Sequence, residues 1–250
     1  MKKASAFLLG LTLASGAAAK EVITIGYFEL PPWVTTQPGG KPSGLAVEYW
    51  EKTLAPAMAV SVDWVGPISL LRLLQKLEAG ELDAGLIMSK AGVREKILAY
   101  PTSPFVEFQP TLAVLQQSTI AKVQSAADLA GKRIGYFPGA VVPPLLKDSR
   151  ITLDLDSSPT WLQDNLNKLL ASRIDAVLDL GVESMIYLTS KGGNGDKVRF
   201  VPLPVPPVPL YTAFARSPHA TALAAKYDPA HGQNLKAFKA RIQAFVSSAK

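Results

Sequence analysis

The chain has 250 residues, a formal net charge of +6 at pH 7 and no cysteine, and 48% of its residues are hydrophobic. The lack of cysteine excludes disulfide bonds, thiolate metal sites and the lipid anchor of a bacterial lipoprotein. The basic residues are scattered along the chain. The charge therefore favours solubility and anionic partners over nucleic acid, for which no binding motif is present.

Residues 1–19 have the order of a secretory signal peptide. Lys2 and Lys3 precede an uncharged, leucine-containing stretch that ends in a run of alanines. We predict cleavage after Ala19, so that a periplasmic protein without a lipid anchor begins near Lys20. The alternative is a membrane anchor, which is disfavoured because a spanning helix needs about 20 predominantly apolar residues.

The first half of the remaining chain alternates β-branched or apolar runs with amphipathic segments. It predicts a strand at 22–27, a helix at 45–58, a strand at 60–65, a helix at 68–79 and a strand at 82–88. Pro56 should end or kink the first helix, and Gly80 should cap the second. Alternating strands and helices indicate an α/β domain, and the apolar run at 82–88 suits a strand buried on both faces.

The pattern then restarts in a second α/β unit. A strand at 111–115 should be followed by a short helix at 125–129, a strand at 132–137, a turn at Gly139, a strand at 151–155, a helix at 161–172 and a strand at 174–178. The stretch 200–210 contains five prolines. Proline donates no ladder hydrogen bond, so this stretch predicts an extended crossing between lobes. A strand at 211–215 and a helix at 234–248 complete the expected elements.

Several short motifs, taken in order, resemble those of the periplasmic solute-binding proteins of ABC transporters, in the polar amino-acid-binding branch (solute-binding family 3). The matching segments are 30–33 (LPPW), 40–48 (GKPSGLAVE), 77–84 (LEAGELDA), the pair Ser89 and Arg94, 103–105 (SPF), 128–135 (DLAGKRIG) and 172–177 (SRIDAV). Each motif is loose alone, but their order and spacing cover nearly the whole chain after the signal peptide.

The resemblance implies the type II periplasmic binding fold, in which two α/β lobes are joined by two crossing strands. Lobe 1 would comprise residues 20–112 and 208–250, and lobe 2 residues 113–207. The solute would lie in the cleft between the lobes, which would close over it by a hinge motion.

The same resemblance points to site residues. Arg94 matches the family arginine that pairs with a ligand carboxylate through its planar fork, and Ser89 would supply a hydroxyl or backbone donor beside it. Tyr27, Trp33 and Phe105 are expected on the pocket wall, where rings offer large apolar contact. Core packing is the competing role for each of the three rings.

Departures from the family pattern change the expected ligand. Gly139 and Ala140 match a turn whose usual hydroxyl is absent here. The family carboxylate that holds an ammonium group falls at Leu180, so Asp179 is the nearest replacement and Glu183 the fallback. We therefore predict a small organic anion or an atypical amino acid, bound without a cofactor by a monomer that delivers it to a membrane permease.

Two other functions stay open at this point. A periplasmic lyase or dehydratase on the same fold would need an acid–base group, yet His219 and His231 lie near the end of the sequence, which leaves carboxylates such as Asp179. A ligand sensor for a membrane partner would use the same lobes, and the presence or absence of neighbouring permease genes would separate sensing from transport.

Overall fold

The structure is a computed structural model that describes residues 20–248, and the predicted signal peptide lies outside them. Its strands are β1 Glu21–Gly26, β2 Thr35–Thr36, β3 Pro42–Ser43, β4 Val60–Val65, β5 Ala84–Ser89, β6 Leu98–Ala99, β7 Val106–Phe108, β8 Thr111–Leu115, β9 Arg133–Tyr136, β10 Thr152–Leu155, β11 Ala176–Asp179, β12 Val198–Pro202 and β13 Val208–Ala215. Its helices are α1 Leu45–Tyr49, α2 Ala55–Met58, α3 Leu70–Glu78, α4 Trp161–Leu170, α5 Val182–Lys191 and α6 Pro218–Ser248. Over the part of the chain that is described, no helix is both long and apolar enough to cross a membrane.

The strands form two main sheets, and the predicted two-lobed α/β fold is confirmed. The first sheet has the order β4-β1-β5-β13-β6, with β7 also paired to β13, and the second has the order β10-β9-β11-β8-β12. In each sheet three strands run parallel, whereas β13 in the first sheet and β8 and β12 in the second pair antiparallel with their neighbours. Helices pack on both sheets, as α/β layers require.

Two segments carry the chain between the sheets. The first crossing lies at Gln109 and Pro110, because Thr111 and Leu112 already pair with β11 in the second sheet. The sequence suggested a boundary after residue 112, inside β8. The return occurs between β12 and β13, in the proline-rich stretch, where Gln109 Nε2 donates to the carbonyls of Leu203 and Val205 at 3.0 and 3.1 Å.

The helix predicted at 45–58 forms as one helical run with an irregular centre. A π-helical turn at Trp50–Leu54 separates α1 from α2, and Pro56 lies immediately after it. Proline has no amide hydrogen and its ring crowds the preceding turn. A wide turn directly before Pro56 accommodates that loss, so the helix continues to Met58.

Gly44 fixes the loop that precedes α1. The first amides of α1 have no side-chain cap. Instead Leu45 and Ala46 donate to the carbonyls of Pro32 and Trp33, both at 3.0 Å. Gly44 has φ +121°, and an added Cβ would lie 2.5 Å from the Trp33 oxygen and 2.6 Å from the Pro32 oxygen. Only glycine allows so close an approach of two backbone segments.

Replacing Gly44 with alanine should therefore destabilise the protein by about 3 kcal/mol or more, since a positive φ costs roughly 1–2 kcal/mol and the backbone clash adds to it. Gly40→Ala is the matched control, because Gly40 also has a positive φ but nothing lies within 4 Å of its added Cβ. Urea unfolding measures both losses. Equal destabilisation by the two substitutions would show that the contact with Pro32 and Trp33 contributes nothing.

Candidate functional site

A small cavity lies between the two lobes, where β1, β5, β9 and β11 end. Its volume is about 20 Å³, close to the room that one water molecule needs. Lobe 1 contributes Phe28, Leu30, Leu70, Ile87, Ser89, Arg94, Phe108 and Leu210 to the cavity wall, and lobe 2 contributes Phe137, Ala140, Trp161, Asp179 and Leu180. Ligands of open α/β sheets bind at this end of the strands. The lobes are thus closed on each other around a mostly apolar space.

Arg94 supplies a buried positive charge at this cavity. The side chain is only 5% exposed. Its Nη1 donates to Ser89 Oγ at 2.6 Å and to the Ser89 carbonyl at 3.2 Å, and its Nη2 donates to the Gly139 carbonyl of lobe 2. Arg94 therefore joins the two lobes through oxygens that carry no full charge.

No carboxylate within residues 20–248 forms an ion pair with Arg94, although ten pairs between a carboxylate and a lysine or another arginine occur in that range. Burial lowers the pKa of the Arg94 guanidinium, because a charged group loses hydration when water is removed. A buried, hydrogen-bonded cation without a counter-ion is a group that an incoming anion would stabilise.

Asp179 is the acidic counterpart on the lobe 2 side of the cavity. It ends β11 and is 3% exposed, and its carboxylate accepts from the amides of Gly181 and Met185 at 3.3 and 3.2 Å. Burial raises the pKa of Asp179 to about 8, and the nearby charge of Glu183 adds to the increase. At neutral pH the folded protein therefore holds this carboxyl largely protonated.

Glu183 lies just behind the cavity wall, in the first turn of α5. Its Oε2 is buried and has no hydrogen-bond partner among the described residues, and it lies close to Gly181 and Phe108. Burial raises the pKa of Glu183 as well. Two neighbouring carboxyls with raised pKa values thus flank the lobe 2 side of the site.

An irregularity in β5 orients one apolar wall of the cavity. Between the pairs Tyr211–Met88 and Ala213–Gly85, β5 contains one more residue than β13, which is a β-bulge. Ile87 lies in this bulge with φ +57°, a rare backbone conformation for a β-branched side chain. Bulges redirect side chains next to functional sites, and Ile87 is part of the cavity wall.

The structure brings together four of the seven predicted site residues. Ser89, Arg94, Ala140 and Asp179 all line the cavity. The predicted turn at Gly139 is present with φ +85°, and its carbonyl rather than its amide faces Arg94.

The other three predicted residues lie in the core of lobe 1 and do not line the cavity. Tyr27 is 1% exposed and packs edge-on against Trp64 at 6.2 Å. Trp33 is fully buried against Phe108 at 5.1 Å, so it supports the cavity wall from behind. Neither ring lines the cavity, because both side chains are buried in lobe 1.

Phe105 belongs to a separate aromatic cluster under α6. Its ring stacks on His231 at 6.0 Å and packs against Phe238 at 4.9 Å. His231 is fully buried between Tyr49 Oη and the Pro104 carbonyl, each 3.1 Å away, and burial lowers its pKa. His219 lies on the surface near Glu21 and Asp83. Neither histidine lines the cavity.

Three aromatic residues of the cavity were not predicted from the sequence. Phe28 follows β1, Phe137 follows β9, and Trp161 begins α4. The Trp161 and Phe137 rings stack at 4.1 Å, and Phe28 approaches Phe137 from lobe 1 at 5.9 Å. The sequence predicted Tyr27, at the end of the first strand, as a wall residue of the pocket. Phe28 is the next residue, so a shift of one position in the predicted end of the strand would have selected Phe28 instead.

No protein-family model matches the chain, and no curated protein matches its sequence. Solved structures share its fold. An ancestral arginine-binding protein bound to arginine is 19% identical with a TM-score of 0.73, over 87% of this chain and 93% of that one. A Streptococcus pneumoniae amino acid ABC transporter substrate-binding protein bound to L-arginine is 16% identical with a TM-score of 0.73, over 91% and 95%.

A Salmonella typhimurium periplasmic binding protein with high arginine specificity is also similar, at 16% identity and a TM-score of 0.67 over 86% of this chain and 93% of that one. The agreement extends over nearly the full length of all three structures. The chain therefore has the two-lobed type II periplasmic binding fold that the sequence predicted.

Proposed function

We propose that this protein captures a small amino-acid-like or organic-anion solute in the cavity between its lobes and delivers it to the permease of an ABC transporter. One observation carries the proposal: the Arg94 guanidinium is buried at the cavity with no ion-pair partner among residues 20–248. Burying an uncompensated charge costs several kcal/mol. A ligand carboxylate would offset that cost through two parallel hydrogen bonds.

The arrangement of the site supports capture by closure. Arg94 and Ser89 come from lobe 1, whereas Gly139, Ala140 and Asp179 come from lobe 2. A solute held by both sets would stabilise the closed form over the open form. Because the closed cavity holds about 20 Å³, the lobes must separate for a solute to enter.

The comparisons support the class of solute and partner. Structures with this fold include proteins bound to arginine and one that serves an amino acid ABC transporter. We extend that role to this chain as a freely diffusing, monomeric, cofactor-free protein of the periplasm. The predicted signal peptide and the lack of cysteine support this location.

A thermal-shift screen of residues 20–250 tests the proposal. A solute at 100 times its Kd adds about 2.7 kcal/mol to the stability, which corresponds to roughly 5–10 °C in Tm for a chain of this size. We expect such a shift from one class of small carboxylates and none from the corresponding amides. A screen in which no carboxylate raises the Tm would overturn the proposal.

Asp179 also favours a second candidate, a lyase that uses this carboxyl as a general acid. A buried carboxyl whose pKa is raised to about 8 is suited to proton transfer near neutral pH. The two functions differ in turnover: a binding protein returns its solute unchanged. Proton NMR of the bound solute after prolonged incubation separates them, and we expect no new resonances.

A further inference from the structure

The apolar side of the cavity is a stack of rings that spans both lobes, which we call the aromatic partition (Phe28, Phe137 and Trp161). Each of the three rings is less than 9% exposed. Together with Leu70, the same three rings also line a second small cavity of about 40 Å³. The aromatic partition therefore lies at the edge of the buried core and separates two neighbouring spaces.

The aromatic partition is held together across the cleft by a loose contact. Within lobe 2, Phe137 and Trp161 stack closely, with centroids 4.1 Å apart and planes at 27°. Across the lobes, Phe28 and Phe137 are 5.9 Å apart and tilted by 38°. Aromatic carbons make their best contact at about 3.5–4 Å, so a ring between Phe28 and Phe137 needs them about 7–8 Å apart. The lobes would need to separate by only about 1–2 Å to admit a flat group there.

A polar group of the aromatic partition is also unpartnered. Trp161 is 4% exposed, and its Nε1–H has no hydrogen-bond partner among the described residues. A buried donor without an acceptor is costly, and buried Trp N–H groups usually find partners.

Arg94 and the aromatic partition line the same cavity, so one small molecule can contact both. We infer that the solute is an aromatic carboxylate, with its carboxylate on Arg94 and its ring inserted between Phe28 of lobe 1 and the Phe137–Trp161 stack of lobe 2. The inference rests on the proposed function for the role of Arg94 and adds the chemical class of the solute. A branched or puckered group of equal size is thicker than a flat ring, so it would require a wider separation of Phe28 and Phe137.

Calorimetry with two matched acids tests the inference. Phenylacetate and cyclohexylacetate have the same carbon skeleton and charge, but only phenylacetate has a flat ring. We expect phenylacetate to bind at least 10-fold more tightly than cyclohexylacetate. We also expect Phe28→Leu to weaken phenylacetate binding about 3- to 10-fold, as the loss of one aromatic pair predicts, and to leave cyclohexylacetate binding unchanged. Phe28→Tyr should retain most of the affinity.

The remaining outcomes separate the two proposals. If cyclohexylacetate or L-glutamine binds at least as tightly as phenylacetate, and Arg94→Ala abolishes that binding, the proposed function stands and the aromatic class is overturned. If none of these three acids binds but another carboxylate of the screen does, the aromatic class is likewise overturned and the proposed function stands. If no carboxylate binds, or if Arg94→Ala leaves all affinities unchanged, the proposed function fails and the inference fails with it. The Tm of each ligand-free variant verifies that a lost affinity does not reflect an unfolded protein.

Discussion

Replacing Arg94 with alanine should weaken binding of the solute by about 100-fold or more, while the protein stays folded. Truncating one member of a buried charge pair costs about 2–5 kcal/mol, and each 1.4 kcal/mol is a factor of about ten in Kd. In the ligand-free protein Arg94 has no ion-pair partner among the described residues, so the substitution removes a desolvated charge along with its hydrogen bonds to Ser89 and Gly139. Removal of the desolvated charge should stabilise the protein, whereas loss of the hydrogen bonds should destabilise it. The Tm of the ligand-free protein should therefore change far less than the affinity.

Two further variants make the Arg94 experiment specific. Arg173→Ala removes the same charge at an exposed position, and it should leave both affinity and Tm unchanged. Arg94→Lys keeps the charge but loses the planar fork, so its Kd should fall between those of the wild type and Arg94→Ala. Calorimetry with the best solute of the screen gives all four values. An Arg94→Ala protein that binds as the wild type does would refute the role of this residue.

The sequence predicts the framework of the fold because strands and helices leave regular patterns. Most of the expected elements appear within a few residues of their predicted bounds, including β4 Val60–Val65 and β8 Thr111–Leu115. Long-range order also follows, since parallel strands joined by helices have few allowed topologies. The alternation of strands and helices along the sequence is therefore sufficient to predict the two-sheet arrangement.

The missed elements are those whose patterns are interrupted. Helix α5, Val182–Lys191, mixes polar and apolar residues and was not predicted. Helix α6 begins at Pro218 rather than near Asn234, and it contains Pro229, a residue that usually breaks the helical pattern. Packing of Tyr227 and Phe238 against Tyr49 and Trp50 outweighs the local cost of that proline.

The sequence predicts which residues meet at the cavity where their contacts are local, but not where the contacts depend on the folded geometry. Arg94 and Ser89 are five residues apart, and their contact follows from a short turn. Whether Tyr27 or Phe28 faces the cleft depends on where β1 ends and how its last residues turn. Ile87 reaches the cavity through a β-bulge that leaves no signal in an apolar run. Such one-residue shifts exchange the two faces of a strand, and only the folded chain resolves them.

The pH dependence of binding should reveal whether the solute carries an ammonium group. Burial raises the pKa of Asp179, and the nearby charge of Glu183 raises it further. At pH 6 to 7 the Asp179 carboxyl is mostly neutral, because its pKa is about 8. An ammonium group needs the ionised form, so such a solute must first displace a proton. Its affinity should rise about tenfold per pH unit between pH 6 and pH 8 and then level off.

A solute without an ammonium group should show the opposite trend. Below pH 8 the Asp179 carboxyl is neutral and does not repel the carboxylate of the solute. Above pH 8 Asp179 is ionised and repels it, so the affinity should fall. Phenylacetate and L-phenylalanine provide the matched pair, and Asp179→Asn should flatten both curves because asparagine does not ionise. Calorimetry from pH 6 to pH 9 gives the affinities. Flat curves for both solutes in the wild type would show that Asp179 does not contact either of them.

The raised pKa of Asp179 also predicts how the unfolding free energy of the ligand-free protein changes with pH. The unfolded chain ionises Asp179 near pH 3.9, whereas the folded protein keeps it protonated until about pH 8. A raised pKa in the folded state therefore means that the contribution of Asp179 to stability is complete below pH 4 and declines as the pH rises towards 8. Asp179→Asn removes this decline, so the difference in unfolding free energy between variant and wild type should shift in favour of the variant from pH 5 to pH 8. A solute whose ammonium group pairs with Asp179 would restore the lost unfolding free energy in the wild type but not in Asp179→Asn. The stability of the closed form therefore depends on whether the bound solute carries an ammonium group.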